Sequence, residues 1–448
     1  MKPSTTEYRL ARWLSYVIGF IFVLLPFHAL LSAWLGSNTG HLDLIRIWKE
    51  ILIFIVMVPA FWLALKNRKS RSWFLGNKLF WLISLYFLLH FALGAWALKT
   101  HRVNGTAFIY ALIINLRFLG FFVICAVVAL YDKWLKENWF RLVVLPSFIV
   151  TIFGLAQRFL LPYDFLKHFG YSPKTIPAYQ TVDSDLNFRR IQSTLRGANP
   201  LGAYYNLLIP SYLLIYRRYT KYAALALALV VLYFTYSRSA WLGTILSLGL
   251  LAFLRLDIGR RIKEVLLAAG VLLILVAAGL YLLKSNHTAQ DAILHTSNGS
   301  KNVSSNAQRT KAIKNAAVDV AYHPLGQGPG TAGPASFRNT GHSAKIAENY
   351  YLQIGQEVGI EGMLLFIAIN LAVAWQLWIK RADNLSRLLL VSLVGISFIN
   401  LLSHSWADDT LSLLWWGLAG IALAPKLPAI ISSKALKKNN AKKIQKAA

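Results

Sequence analysis

The sequence predicts an all-α polytopic membrane protein with about twelve transmembrane helices and two long extracytoplasmic loops. Of its 448 residues, 56% are hydrophobic and only 15% are charged, whereas about a quarter of a soluble globular protein is charged. The apolar residues form blocks about 20 residues long, the length at which a helix crosses the hydrocarbon layer. Backbone groups in lipid must find partners within their own segment, so we expect each block to be helical.

About twelve blocks are long and apolar enough to be read as spans. They begin near Trp13, Ile51, Leu79, Ala107, Leu142, Leu201, Tyr222, Ala240, Val265, Asn349, Leu388 and Thr410. Spans 1–5 then form an N-terminal bundle over residues 1–161, spans 6–9 occupy residues 201–283, and spans 10–12 occupy residues 349–425. Two outer loops cover residues 162–200 and 284–348, and a basic cytoplasmic tail covers residues 426–448.

Positive charge predicts the orientation of these spans. Every second loop carries a cluster of Lys and Arg, so we expect these loops and both termini to lie in the cytoplasm. Four basic residues in short outer loops depart from this rule: Arg46, Lys49, Lys99 and Arg102. The net charge of +29 is thereby explained by topology and by anionic membrane lipids, and we predict no nucleic-acid partner.

Tryptophans near span ends are typical of the interface between lipid and water. On this pattern we predict five interface residues: Trp48, Trp96, Trp241, Trp415 and Trp416.

Four segments on the predicted outer face carry distinctive polar and glycine-containing sequences. They are RRIQSTLRGANPLGAYYNLLIP at residues 189–210, TYSRSAWLG at 235–243, RTKAIKNAAVDVAYHPLGQGPGT at 309–331, and ENYYLQIGQEVGIEGMLLF at 348–366. Together and in this order they resemble the O-antigen ligase and O-antigen polymerase family of bacterial membrane proteins. The resemblance covers residues 189–365 and rests on the order of the four segments.

The resemblance implies a fold of the multi-helix membrane glycosyltransferase type. It also implies a metal-independent, inverting glycosyltransferase that transfers or polymerises a glycan carried on undecaprenyl diphosphate. The site is then expected on the extracytoplasmic side of the bacterial inner (plasma) membrane. The partners implied are the lipid-linked glycan, membrane lipids and a glycan, lipid or protein acceptor, with no metal or other cofactor.

A departing diphosphate needs positive charge, and arginine binds phosphate oxygens in pairs through its planar fork. The candidate diphosphate-binding residues are Arg190, Arg196, Arg238, Arg309 and Arg117. Arg238 lies in a short turn at the outer headgroup level, where it either binds the diphosphate or anchors the interface. Arg117 lies about ten residues into the fourth block, near mid-membrane, where it either binds the diphosphate or braces the bundle.

A general base must take the proton from the acceptor hydroxyl. Family members of the ligase branch carry histidine before the asparagine that matches Asn349, whereas this chain carries Glu348 there. We name Glu348 as the candidate base and His342, six residues upstream, as the alternative. Glu348 can equally be a helix-start residue that meets the helix dipole.

Several other polar residues have simpler explanations. Asp183 and Asp185 form an Asp-x-Asp pair, but no nucleotide-binding domain surrounds them, so we predict a solvated pair and no metal site. Asp408 and Asp409, beside His404 in the last outer loop, either bind sugar hydroxyls or are merely exposed.

Two other functions fit a polytopic protein. A transporter or flippase of lipid-linked glycan would show repeat-related halves and polar groups at the midplane, but here the polar groups cluster outside and only Arg117 lies deep. A non-catalytic scaffold would tolerate replacement of the outer arginines.

Overall fold

The computed structural model describes residues 4–182, 185–215, 217–255 and 305–425. In these ranges the chain is helical almost throughout, and six helical segments are long and apolar enough to cross a membrane. Shorter apolar helices accompany them, so the chain is an all-α multi-pass membrane protein.

The N-terminal part consists of helices joined by short turns. They are α1 (Thr5–Leu24), α2 (His28–Thr39), α3 (Leu42–Arg46), α4 (Trp48–Lys66), α5 (Arg68–Gly76), α6 (Lys78–Lys99), α7 (Gly105–Tyr131) and α8 (Trp134–Phe159). A single 3-10 turn, Leu25–Phe27, links α1 to α2 at Pro26, so the first apolar segment runs from Thr5 to Thr39.

The remaining α-helices follow these along the chain. They are α9 (Ala198–Tyr212), α10 (Arg218–Phe234), α11 (Arg238–Arg255), α12 (Ser305–Tyr322), α13 (Tyr350–Ile379), α14 (Asn384–Asn400) and α15 (Asp409–Leu423). Every predicted span start falls in one of these helices or at its cap, except the ninth, near Val265, which lies outside the described residues. The tail, residues 426–448, lies outside them as well.

Side-chain caps explain where several helices begin. Asn104 starts α7 by accepting from the Ala107 amide at 2.8 Å, and Asp408 starts α15 by accepting from the amides of Thr410 and Leu411. Such caps satisfy amides that have no partner within the helix.

The segment at residues 162–200, a loop in the sequence prediction, contains a small antiparallel hairpin, a departure from the all-helical prediction. Strand β1 (Gln180–Val182) pairs with β2 (Asp185–Arg190), with Gln180 opposite Arg190. Directly after β2, the Ile191 amide donates to the Phe234 carbonyl at 3.1 Å. The hairpin therefore places Arg190 beside the turn that precedes α11.

The core between α7 and α15 is aromatic. Trp415 and Trp416 are fully buried and pack against Trp406, so their predicted interface position is wrong. Phe118 of α7 stacks on Trp406. A position at a span end predicts an interface residue, but here the loop before α15 covers both side chains.

A kink divides α13 about a third of the way along the helix. Val358 and Gly359 leave helical geometry, and Gly359 has φ of 77°. Residues Pro324–Gly330, which we call the glycine strap, fill the gap. The amides of Gln327 and Gly328 each donate at 2.8 Å to the freed carbonyls of Gln356 and Glu357, so the kink leaves neither carbonyl unsatisfied.

Candidate active site

A cavity of about 550 Å³ lies among α2, α3, α4, α7 and the start of α15. Its lining includes five basic side chains from separate segments: Arg46, Lys49, Arg117, Arg196 and Arg338. The structure therefore brings together two of the predicted diphosphate-binding residues, Arg117 and Arg196. Arg46 and Lys49 were visible in the sequence as exceptions to the charge rule, whereas Arg338 gave no such signal.

The deep end of the cavity is a buried ion-pair network. Arg117 pairs with Glu50 at 2.8 Å and with Asp409, and Lys49 lies 2.8 Å from Asp409 and 3.1 Å from Glu50. Only 2% of the Lys49 side chain is exposed. Because two cations face two carboxylates, the charges here largely balance, and Arg117 braces α7 against α4 and α15 while also lining the cavity.

His28 extends this network. Trp48 Nε1 donates to His28 Nδ1 at 3.0 Å, which requires Nδ1 to be the acceptor nitrogen. In neutral His28 the proton then sits on Nε2, which lies 3.2 Å from Asp409 Oδ2. Nε2 also lies 3.1 Å from Lys49 Nζ, so His28 contacts both a carboxylate and an ammonium of the network.

The mouth of the cavity keeps an excess of positive charge. Burial, reinforced by the charge of Arg196, lowers the pKa of Arg46. The only carboxylate that the described residues place within 4 Å of Arg46 or Arg338 is Asp43, 3.9 Å from each and 82% exposed. An exposed carboxylate at that distance offsets little of the repulsion. Arginines held together against their own repulsion are suited to an anion such as a diphosphate.

Arg338 is held in position by an aromatic ring. Its guanidinium lies 4.4 Å from the centre of the Tyr110 ring. Behind it, Asn339 accepts from the Asn104 amide at 3.1 Å and donates to the Arg102 carbonyl at 3.0 Å. The loop after α12 is thereby fastened to the start of α7, and Arg338 lines the cavity together with Arg46.

A second polar cluster adjoins the cavity. Arg309 Nε lies 3.5 Å from a carboxylate oxygen of Glu348. His404 interacts electrostatically with Glu348, Arg196 and Arg309. Arg196 therefore belongs to both groups, because it lines the cavity and also acts on His404.

Glu348 adopts an uncommon backbone conformation, with φ of 51°. A left-handed glutamate is strained and is retained only where its surroundings fix it. The next residue, Asn349, is the cap of α13, because its side chain accepts from the Leu352 amide at 3.0 Å. The capping role is thus filled without Glu348, whose carboxylate is directed to Arg309.

Arg190 and Arg238 lie at a neighbouring turn. Arg190 Nε donates to the Thr235 carbonyl at 2.8 Å, and Nη2 donates to Asn199 Oδ1 at 2.5 Å. Arg238 is half-buried at the first position of α11. His342 is exposed in the outer loop. None of these three is among the described residues that line the cavity.

The predicted Asp-x-Asp pair is only partly described. Asp183 lies outside the described residues, and Asp185 accepts from the Asn187 amide at 2.8 Å within β2. In the described ranges no group of three or more His, Cys, Asp or Glu side chains is arranged to hold a metal ion.

Comparison with known proteins bears on this site. Residues 223–367 match the family model described as O-antigen ligase. The resemblance to that family is confirmed. The matched segment of the O-antigen ligase family includes Arg238, Arg309, Arg338 and Glu348, together with the glycine strap. No curated protein matches the chain significantly.

The O-antigen ligase family comprises membrane enzymes that join glycans, with a lipid-linked glycan and an acceptor as their general partners. Three of the cavity arginines, Arg46, Arg117 and Arg196, precede the matched segment. In the structure, these three arginines lie close to the matched segment, beside Arg338 at the mouth and the cluster around Glu348.

Proposed function

We propose that the protein is a membrane glycosyltransferase of the O-antigen ligase or polymerase type. In this proposal it takes a glycan from undecaprenyl diphosphate and transfers it to an acceptor at the outer face of the bacterial inner membrane. The observation that carries the proposal is the position of Arg196, which lines the arginine-rich cavity and acts electrostatically on His404 beside Glu348.

The diphosphate of the donor is proposed to bind at the mouth of the cavity. Among the described residues, the exposed Asp43 is the only carboxylate within 4 Å of the guanidinium groups of Arg46, Arg196 and Arg338. Such groups bind phosphate oxygens in pairs and stabilise charge that develops as the bond to the sugar breaks. Arg117, with two carboxylate partners, chiefly holds the floor of the site.

The other predicted cations complete the donor site in this proposal. Arg309 holds the carboxylate of Glu348. Arg190 and Arg238, at the turn before α11, are proposed to contact the diphosphate from its membrane side. Because side chains supply the positive charge, the proposed reaction requires no metal.

The reaction is proposed to be an inverting displacement. The acceptor oxygen attacks the anomeric carbon, and the bond from that carbon to the diphosphate oxygen breaks. The proton leaving the acceptor hydroxyl is drawn towards the negative charge of Glu348, with His342 on the same loop as the alternative.

The test is transfer by the purified protein in liposomes that contain an undecaprenyl-diphosphate-linked glycan and an acceptor. We expect longer or transferred glycan with the wild type, little with Arg196→Ala, and full activity with Arg102→Ala as the matched outer-loop control. Movement of the lipid-linked glycan across the bilayer without a new glycosidic bond would instead identify a flippase.

Ligase and polymerase are distinguished by the envelope glycans of a deletion strain. Mass spectrometry would show loss of long chains for a polymerase and chains left on the lipid carrier for a ligase. The proposed topology is tested separately: in a Cys125→Ser background, a Ser343→Cys variant, at an exposed position of the loop 284–348, should react with a membrane-impermeant maleimide added from outside, whereas a cysteine in the tail should not.

A further inference from the structure

We infer that His404 is the general base of the transfer and that the charge of Glu348 stabilises its protonated form. This inference rests on the proposed function and specifies where the acceptor proton goes. The sequence pattern directed attention to residues 342–349, because the motif lies there, whereas His404 lies between α14 and α15.

Two hydrogen bonds hold the segments of Glu348 and His404 together. The Asn349 side chain donates to the Leu401 carbonyl at 3.0 Å, and the Tyr350 amide donates to the Ser403 carbonyl at 3.1 Å. Glu348 directly precedes the first of these residues, and His404 directly follows Ser403. The start of α13 is thereby fixed against the loop that carries the imidazole.

The loop around His404 is ordered by its own hydrogen bonds. The Trp406 amide donates to Asn400 Oδ1 at 3.0 Å, and the Ala407 amide donates to the His404 carbonyl at 3.0 Å. Trp406 is fully buried in the aromatic core. The backbone of His404 is therefore set by the core, and its position relative to Glu348 follows from it.

Burial and the neighbouring charges keep the His404 imidazole in the form that a general base requires. Burial lowers the pKa of His404, the charge of Glu348 opposes that shift, and the charges of Arg196 and Arg309 add to it. The imidazole is therefore neutral at neutral pH and able to accept a proton. Imidazole is the side chain most often used to take a proton from a hydroxyl in enzymes.

The proton and electron pairs can be followed through the step. The acceptor O–H proton moves to the free nitrogen of His404 as the acceptor oxygen forms its bond to the anomeric carbon. The bond between that carbon and the diphosphate breaks, and its electron pair stays on the diphosphate oxygen. Glu348 stabilises the imidazolium, which then returns its proton to water.

The experiment uses the full-length protein in liposomes with the lipid-diphosphate glycan. We expect His404→Gln to lower kcat about 100-fold, within the range that general-base catalysis contributes, while affinity for the donor is unchanged. Added imidazole should restore part of the rate of His404→Ala, which loss of a structural contact would not permit. His168→Gln, at an exposed loop histidine, is the control and should keep the wild-type rate.

The pH profile separates the two roles of Glu348. If His404 is the base, Glu348→Gln retains activity and moves the acidic limb of kcat/KM to lower pH, because the charge that raises the pKa of His404 is gone. If Glu348 is the base itself, Glu348→Gln abolishes transfer at every pH, and the inference is wrong. Full activity of His404→Gln in an active wild-type background would overturn it as well, with the proposed function intact. A wild-type protein that makes no glycosidic bond would overturn both.

Discussion

Arg117 and Glu50 form a buried ion pair between α7 and α4, with the arginine Nη1 2.8 Å from the carboxylate oxygen. Asp409 lies on the other side of the same guanidinium. The pair therefore ties together two N-terminal helices and the last helix of the described chain, at the floor of the cavity that we assign to the donor diphosphate.

Removing the Arg117 ion pairs should lower the free energy of unfolding. Arg117→Met leaves Glu50 and Asp409 with Lys49 and the His28 imidazole, so one buried negative charge is left uncompensated, which costs about 3–5 kcal/mol. We expect a much lower Tm in detergent. The double variant Arg117→Met/Glu50→Gln should lose less than the sum of the two single changes, since it removes a cation and an anion together. An unchanged Tm with lost donor binding would make Arg117 a diphosphate ligand instead.

The mouth arginines should control donor affinity. Arg46→Ala and Arg338→Ala each remove charged hydrogen bonds to the diphosphate, which contribute about 1.5–3 kcal/mol. We expect the Kd for undecaprenyl diphosphate to rise by about 10- to 100-fold. Arg102→Ala is the matched control, because Arg102 stacks 4.3 Å from the Trp96 ring and is not among the described residues of the cavity. Equal weakening by Arg102→Ala would show a general surface-charge effect.

The kink in α13 should tolerate no side chain. A Cβ at Gly359 would lie 2.6 Å from the Pro324 carbonyl oxygen, and φ there is 77°. We expect Gly359→Ala to destabilise the protein by about 1–3 kcal/mol or more, as strain at a special backbone position does. Gly249→Ala is the control, because nothing lies within 4 Å of its Cβ position. There alanine should stabilise the helix by up to about 1 kcal/mol. Similar Tm values for the two variants would contradict this account.

Asp408 should make stability depend on pH. Burial, reinforced by the charge of Asp409, raises the pKa of Asp408 to about 6. The folded state then binds a proton that the unfolded state releases near pH 4, so the free energy of unfolding falls as pH rises through that window. Asp408→Asn can still cap α15 and should be more stable than wild type above pH 6, by about 1–3 kcal/mol. The Tm difference should vanish below pH 4, and a difference that grows towards low pH would refute the assignment.

The membrane helices were predictable because a long apolar block in lipid must be helical. Every described span start coincides with a helix or its cap. The tryptophan positions were less predictable. Trp415 sits at a span end in the sequence, but whether a loop covers that end depends on tertiary packing, which periodicity does not report.

The candidate site was only half visible in the sequence. Arg196, Arg309 and Glu348 stood out because they lie in one ordered set of motifs. Arg46 stood out only because it is a basic residue in a predicted outer loop. That departure from the charge rule does not show which residues surround the Arg46 side chain. His404 became relevant through hydrogen bonds between the start of α13 and the loop before α15, a long-range pairing that no single-chain pattern encodes.

The glycine strap has a practical consequence for exchanging outer loops between related enzymes. Its amides complete the backbone of α13, and a Cβ at Gly326 would lie 2.4 Å from the Gly359 nitrogen. The strap and the bent helix therefore depend on each other and must be transferred together. A hybrid protein assembled with a junction inside residues 324–359 would mismatch the two halves, whereas junctions placed outside that stretch should yield grafts that fold.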